Sequence, residues 1–135
     1  MARKKSIVYK SKKKEAIAQA TVRKGNGIIR INSRQLSTIE PAIVQEFIRE
    51  PVYLAGEIAQ GINISVKVEG SGAMSQAAAA RSSIAKSLVG FSKDKKLQKT
   101  MLQYDRMLLV DDPRRTEPKK PLGPKARKKK QHSKR

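Results

Sequence analysis

Three features of this chain have residue types that could support catalysis or metal binding. Gly70-Ser71-Gly72 precedes a helix-like pattern, and the free N–H groups of a helix N-terminus suit an anion. Asp111 and Asp112 are adjacent carboxylates, the oxygen ligands that a metal prefers, although neighbouring acids are also common in a turn that closes a domain. His132 is the only histidine and lies in a basic tail. These groups are too few for a catalytic dyad or a metal cluster, so we predict no enzyme, cofactor or metal site.

Positive charge is the main chemical property of the sequence. Its 135 residues include 31 Lys or Arg against 11 Asp or Glu, for a net charge of +20. Residues 1–14 hold seven basic and no acidic residues, and residues 113–135 hold eleven against Glu117 alone. Residues 15–112 hold thirteen basic and ten acidic residues. We therefore predict a basic arm at 1–14, a globular domain at 15–112 and an extended basic tail at 113–135, with both extensions disordered until a polyanion neutralises them.

The composition also indicates which polyanion is bound. Cysteine is absent, no apolar run approaches the roughly 20 residues that span a bilayer, and the N-terminus lacks the apolar core of a secretory signal. We expect a cytoplasmic protein without a membrane partner. The few aromatic residues are scattered and form no platform for stacking bases. Recognition of folded RNA by its phosphates and shape is the remaining mode.

The central positioning unit is a strand, a turn and a helix. Residues 62–68 alternate apolar and polar side chains, which predicts a strand with one buried face. After the glycine-rich turn, residues 73–91 change to a helical period. The predicted core stripe of this helix is Ala77, Ala80, Ile84, Leu88 and Phe91, with Ser75, Ser82 and Lys86 opposite.

The flanking segments predict further elements. Residues 15–22 and 28–31 are expected to be strands joined as a hairpin by Lys24-Gly25-Asn26-Gly27. A helix is expected from Pro41, with a face of Ile43, Val44, Phe47 and Ile48, ending or kinking at Pro51 and followed by a short helical piece at 52–59. Ser92 is the expected N-cap of a last helix carrying Leu97, Met101, Tyr104 and Leu108, and residues 108–110 form a short strand or a buried turn.

Four motifs in order resemble the family of small-subunit ribosomal protein nine. They are the glycine-rich run from Gly70 to Gln76 with its continuation to Ala85-Lys86-Ser87-Leu88, the segment from Ala18 to Asn32, the junction from Tyr104 to Leu109 and from Asp112 to Lys120, and the C-terminal Gln131-His132-Ser133-Lys134-Arg135. Ser71 departs from the family, which usually has a third glycine there. The sequences Tyr104-Asp105-Arg106 and Arg115-Thr116-Glu117-Pro118 resemble those of archaeal members of the family.

This resemblance implies a fold and a place of action. The fold is α/β with two layers, like domain 2 of ribosomal protein S-five: a four-stranded mixed sheet with helices on one face and a left-handed βαβ crossover. The implied partners are small-subunit rRNA in the head, neighbouring head proteins and P-site tRNA, within cytoplasmic small subunits. The tip residues Ser133, Lys134 and Arg135 would contact the tRNA.

Basic residues of the domain and the tail are the candidate rRNA contacts. These are Arg23, Lys24, Arg30, Arg81, Lys86, Arg114, Arg115, Lys119, Lys120, Lys125, Arg127, Lys128, Lys129 and Lys130. The alternative for Arg23, Lys24 and Arg30 is a merely solubilising edge. Arg81 lies near the edge of the apolar stripe, so a structural role is its alternative.

Two other functions are compatible with parts of the sequence. A free basic RNA-binding or chaperone-like protein would need no glycine-rich signature, and it would not stay with the small subunit through a moderate salt wash. The run from Gly70 to Gln76 also loosely resembles the phosphate loop of galactokinase-like kinases, but the Gly-Lys-Ser/Thr ending of the common phosphate loop is missing. Nucleotide binding would distinguish that function.

Overall fold

The computed structural model of the protein describes residues 6–127. Five strands form one mixed sheet in the order β1-β2-β5-β3-β4, and helices pack on one of its faces. The strands are β1 (Ile7–Lys13), β2 (Ala16–Lys24), β3 (Ile29–Ile31), β4 (Arg34–Gln35) and β5 (Ile62–Glu69). The helices are α1 (Ala42–Ala55), α2 (Glu57–Gln60), α3 (Ala73–Ser92) and α4 (Lys95–Tyr104), with 3-10 turns at Leu36–Thr38 and Arg106–Leu108. The predicted α/β class is confirmed, with five strands where four were expected.

Strand β1 comes from the segment that we expected to be a disordered arm. It pairs antiparallel with β2 through the two-residue turn Lys14-Glu15. Tyr9 and Ser11 lie on the face that packs against α3, and a side chain at Gly90 of α3 would overlap the Tyr9 ring. Lys10 and Lys12 alternate with these residues and are exposed, and Lys13, on the same face as Ser11, pairs with Asp112, so the lysine charges do not oppose strand pairing. The expectation of disorder is therefore wrong for residues 7–13.

The predicted hairpin between β2 and β3 is also wrong. Strand β5 lies between them, antiparallel to β2 and parallel to β3. The side chain of Asn63 holds the connecting loop, because its Oδ1 accepts hydrogen bonds from Asn26 N at 2.8 Å and Ile28 N at 3.0 Å. A Cβ at Gly25 would overlap this side chain. The glycines thus permit a close approach to β5 rather than a tight hairpin turn. The parallel β3–β5 pair is joined through α1; its left-handed crossover stays a prediction.

Helix α3 is the buried centre of the molecule. The predicted stripe is confirmed at Ala77, Ala80, Ile84 and Leu88, which are at most 3% exposed, while Phe91 is half-buried. The opposite face is not solvated as expected, since α1 and the turn after α4 pack on it. Ser82 is buried there and donates a hydrogen bond to the Met107 carbonyl oxygen at 2.8 Å.

The glycine-rich turn brings β5 close to the start of β2. Gly70 has a φ of +83°, and a Cβ there would lie 2.5 Å from the Glu15 carbonyl oxygen. Ser71 adopts a φ of +58° but is exposed. The close backbone approach therefore occurs at Gly70, so the replacement of glycine by Ser71 leaves it intact.

Other element boundaries differ in detail from the predictions. Helix α1 begins after Pro41 and continues through Pro51 to Ala55. Pro51 lacks the N–H of the i−4 hydrogen bond and its ring crowds the Phe47 carbonyl, but its burial in the core offsets this cost. Ile43 is 76% exposed and does not belong to the buried face. Asp94, not Ser92, caps α4 by accepting from Lys96 N at 2.8 Å. Residues 108–110 form no strand; Leu108 is buried and ends a 3-10 turn whose other two residues, Arg106 and Met107, are exposed.

Within residues 6–127, no helix is long and apolar enough to cross a membrane.

Candidate nucleic-acid interface

The face of the sheet opposite the helices is polar and open. Alternate residues of the strands point to this face, which we call the outer face. It includes exposed cationic side chains that no pattern had singled out: Lys10, Lys12 and Lys67. Lys67 is paired with Glu69 at 2.5 Å. Period-two alternation in residues 7–13 was the one sequence signal that could have placed Lys10 and Lys12 there.

One end of the outer face brings together three predicted rRNA contacts. Arg23, Lys24 and Arg30 line a groove of about 460 Å³ with Asn63 and Ser65. The predicted hairpin is absent, but β5 produces the same grouping, because Arg23 lies opposite Asn63 and Arg30 lies opposite Ser65. The described lining of this basic groove includes no acidic side chain. Its cations are available to an external polyanion.

Arg81 occupies a different environment. Its side chain is 8% exposed and forms ion pairs with Glu50 and with Asp105, the latter at 2.8 Å. Its guanidinium carbon lies 4.6 Å from the centre of the Phe47 ring. Burial raises the pKa of Asp105, but the hydrogen bonds from Arg81 and from Met107 N, together with the Arg81 charge, outweigh this effect, and the pKa is lowered. This arrangement favours the structural role of Arg81 over a phosphate contact.

The root of the tail is attached to the edge of β1. Ser11 Oγ donates to Asp111 Oδ1 at 2.7 Å, and Lys86 Nζ donates to the same oxygen at 2.6 Å and to the Lys10 carbonyl oxygen at 3.2 Å. Lys86 is thus held by the protein itself rather than projecting freely.

The second aspartate at this junction is more deeply held. The Asp112 side chain is 4% exposed, with Arg114 and Lys13 as its ion-pair partners. Hydrogen bonds from Arg114, reinforced by Lys13, hold the pKa of Asp112 well below its usual range. The adjacent aspartates therefore bind cations of their own chain. Among residues 6–127, no cluster of three metal-ligating side chains was found.

The described part of the tail is mostly exposed and has no helix or strand. Arg114 keeps 78% of its side chain exposed despite its pairing, and Arg115 donates to the backbone oxygens of Asp112 and Arg114. Arg127 pairs with Glu117, with Nε 2.7 Å from Oε2. The remaining predicted contacts in the described tail are exposed: Lys119, Lys120 and Lys125. The predicted contacts that lie outside the described residues are Lys128, Lys129, Lys130, Ser133, Lys134 and Arg135.

Comparison with known proteins gives one consistent result. A family model described as "Ribosomal protein S9/S16" matches residues 11–135. A protein of Methanococcus vannielii called "Small ribosomal subunit protein uS9" is 45% identical over 125 residues, covering 90% of this chain and 93% of the relative. Proteins with the same name from two strains of Methanococcus maripaludis are 42% identical with the same coverage. The archaeal source of these relatives agrees with the resemblance of the segments at Tyr104 and Arg115 to archaeal members.

Proposed function

This chain belongs to the ribosomal protein S9/S16 family, and we propose that it binds rRNA in the head of the small ribosomal subunit while its tail reaches P-site tRNA. Members of this family are structural, non-enzymatic ribosomal proteins. The chain accordingly acts in translation, in the cytoplasmic small subunit, among the neighbouring head proteins.

The basic groove is the observation that carries the rRNA contact. Arg23, Lys24 and Arg30 surround an open groove whose described lining is free of acidic groups, so an incoming phosphate meets no competing carboxylate there. Arg81 and Lys86, by contrast, are engaged with acids of the chain. We assign the phosphate contacts of the domain to the groove and not to α3.

The groove is tested by the salt dependence of rRNA binding. Replacing Arg23, Lys24 and Arg30 together by glutamine is expected to flatten the slope of log affinity against log salt by about one for each lost phosphate contact. Affinity for an rRNA fragment from the subunit head is measured by filter binding from low to high salt. The control is Lys99→Gln, an exposed lysine of α4 on the helical side of the molecule. An unchanged slope in the triple variant would show that the groove only solubilises the protein.

The tail provides the reach toward tRNA. The 23 residues from Pro113 extend up to about 75 Å, at roughly 3.3 Å each. Prolines at 113, 118, 121 and 124 favour extended backbone and reduce the entropy lost on ordering. The basic block from Lys125 to Lys130 would fix the path along rRNA phosphates. Arg135 suits the tip, because a guanidinium can hold phosphate oxygens with two hydrogen bonds.

Removing residues 133–135 alone tests the function of the tip while leaving the basic block intact. Subunits carrying this truncation are expected to assemble normally but to bind P-site tRNA more weakly and to maintain the reading frame less accurately. Sucrose-gradient profiles measure assembly, and tRNA filter binding and frameshift reporters measure function. Substitution of Lys128, Lys129 and Lys130 by glutamine is the control that weakens the path and leaves the tip. Failed assembly with unaltered tRNA affinity would make the tip structural.

A further inference from the structure

A second recess, separate from the basic groove, lies where the β1–β2 turn meets α1 and the first turns of α3. Its volume is about 330 Å³, within the roughly 300–1,000 Å³ range of small-ligand clefts. Its lining combines apolar side chains with a cationic rim.

The floor of this recess is apolar and partly exposed. Phe47, Met74, Ala78 and Met107 contribute to it. Met74 is 59% exposed and Met107 is 38% exposed, although large apolar side chains are usually buried in a core. Thioethers make favourable contacts with aromatic rings and adapt to their shape. The floor therefore suits a flat aromatic group.

The rim is cationic. Lys14 is exposed in the β1–β2 turn, and no acidic side chain of the described chain forms an ion pair with it. Lys13 is held by Asp112, which also lines the recess, and the Lys12 side chain belongs to the outer face. Ser75 adds a hydroxyl from the first turn of α3, where the free N–H groups favour negative charge. Arg81 also lines the recess, and its buried Nε has no hydrogen-bond partner. An anion at the rim would meet one uncompensated lysine, Lys14.

We propose that this recess binds one unstacked nucleotide of an RNA, with the base on the Phe47, Met74 and Met107 floor and the phosphate at Lys14. This inference rests on the proposed RNA-binding function and adds a contact to a base to the phosphate contacts of the groove. A nucleotide carries a flat aromatic group and an anion within one residue, which matches the adjacent floor and rim. Bases splayed from the stack are the usual targets where a protein reads RNA directly.

An acidic peptide fits the recess less well. Extended peptides commonly bind by adding a strand to an exposed sheet edge. The edge of β1 beside the recess is already occupied, because Lys86 Nζ binds the Lys10 carbonyl oxygen and the Asp111 carboxylate accepts from the Lys12 backbone. A nucleotide needs no such edge.

The chain contains four methionines, which allow a direct test. The full-length protein is labelled with ¹³C at its methionine methyl groups and titrated at constant ionic strength with adenosine or uridine 5′-monophosphate. We expect the Met74 and Met107 signals to shift saturably, while the signal of Met101, which is 0% exposed, stays in place. Inorganic phosphate at the same concentrations is expected to leave the Met74 and Met107 signals unchanged. If neither signal moves, or phosphate moves them equally, the inference is wrong; an equal effect of a tetraglutamate peptide would favour a peptide site instead.

Variants distinguish this inference from the proposed function. Lys14→Gln is expected to weaken nucleotide binding about threefold, as the loss of one exposed ion pair predicts. Lys99→Gln, the same charge change at an exposed lysine of α4, is expected to leave it unaltered. If Lys99→Gln weakens nucleotide binding as much as Lys14→Gln, the recess is not the site. Failure of nucleotide binding with a normal salt slope in rRNA binding would overturn this inference alone, whereas an unchanged slope in the groove variant would overturn the proposed groove contact.

Discussion

Replacing Ile84 by aspartate is expected to abolish folding of this protein. Ile84 is 0% exposed in the middle of α3, the helix that packs against β1, β2, β5 and α1. A carboxylate at this position would be buried without a partner, at a cost of several kcal/mol. Domains of this size have a free energy of unfolding of only about 5–15 kcal/mol. A core rich in small alanine side chains contributes little further stability to offset the cost.

Circular dichroism and urea unfolding measure the effect, and α1 supplies a matched control. Ile43→Asp makes the same chemical change at a side chain that is 76% exposed, and it should leave the fold and its urea midpoint almost unchanged. A folded Ile84→Asp protein that assembles normally into subunits would mean that the core face of α3 has been assigned incorrectly. Loss of folding in the Ile43→Asp protein would show that acidic substitution is harmful regardless of burial.

Replacing Arg81 by glutamine is expected to lower the free energy of unfolding without changing the salt dependence of rRNA binding. The substitution removes the cation shared by Glu50 and Asp105 and the contact with Phe47. Breaking a fully buried ion pair costs about 3–5 kcal/mol. The Glu50 and Asp105 side chains are 28% and 32% exposed, so water relieves part of this cost. We expect a loss of about 2–3 kcal/mol.

Urea unfolding gives the stability, and rRNA binding is measured at a temperature where the variant remains folded. Arg49→Gln is the matched control, because Arg49 forms an exposed pair with Glu46 at 3.2 Å on the surface of α1. Its loss should change stability by less than about 1 kcal/mol. Unchanged stability in the Arg81 variant together with a flatter salt slope would contradict the structural role and return Arg81 to the rRNA contacts.

The family resemblance and the central unit were both accessible from the sequence. The family is confirmed by the match over residues 11–135 and by relatives of the same kind. Strand β5 and helix α3 have the predicted positions, because period two and the helical period are local properties of the chain. The proximity of Arg23, Lys24 and Arg30 was also predictable, since they flank one loop, while their contact with rRNA stays a prediction.

Strand order was not accessible in the same way. The loop from Lys24 to Gly27 has residues typical of a hairpin, yet β5 inserts between β2 and β3. This outcome depends on Asn63, which lies 35 residues beyond Ile28 and binds the loop through its side chain. A local turn pattern contains no information about a strand that arrives from that distance.

The sequence by itself determined the family, the two local periods of the central unit and the concentration of charge in the two extensions. Only the tertiary structure decided which cations are available to an external polyanion. Arg23 and Arg81 were both candidate rRNA contacts in the sequence, but one lines a groove whose described lining has no acidic side chain and the other is enclosed by Glu50 and Asp105. Whether a charge is free or neutralised depends on the side chains that the fold brings within a few ångströms, because Coulomb attraction and desolvation act through space and not along the chain.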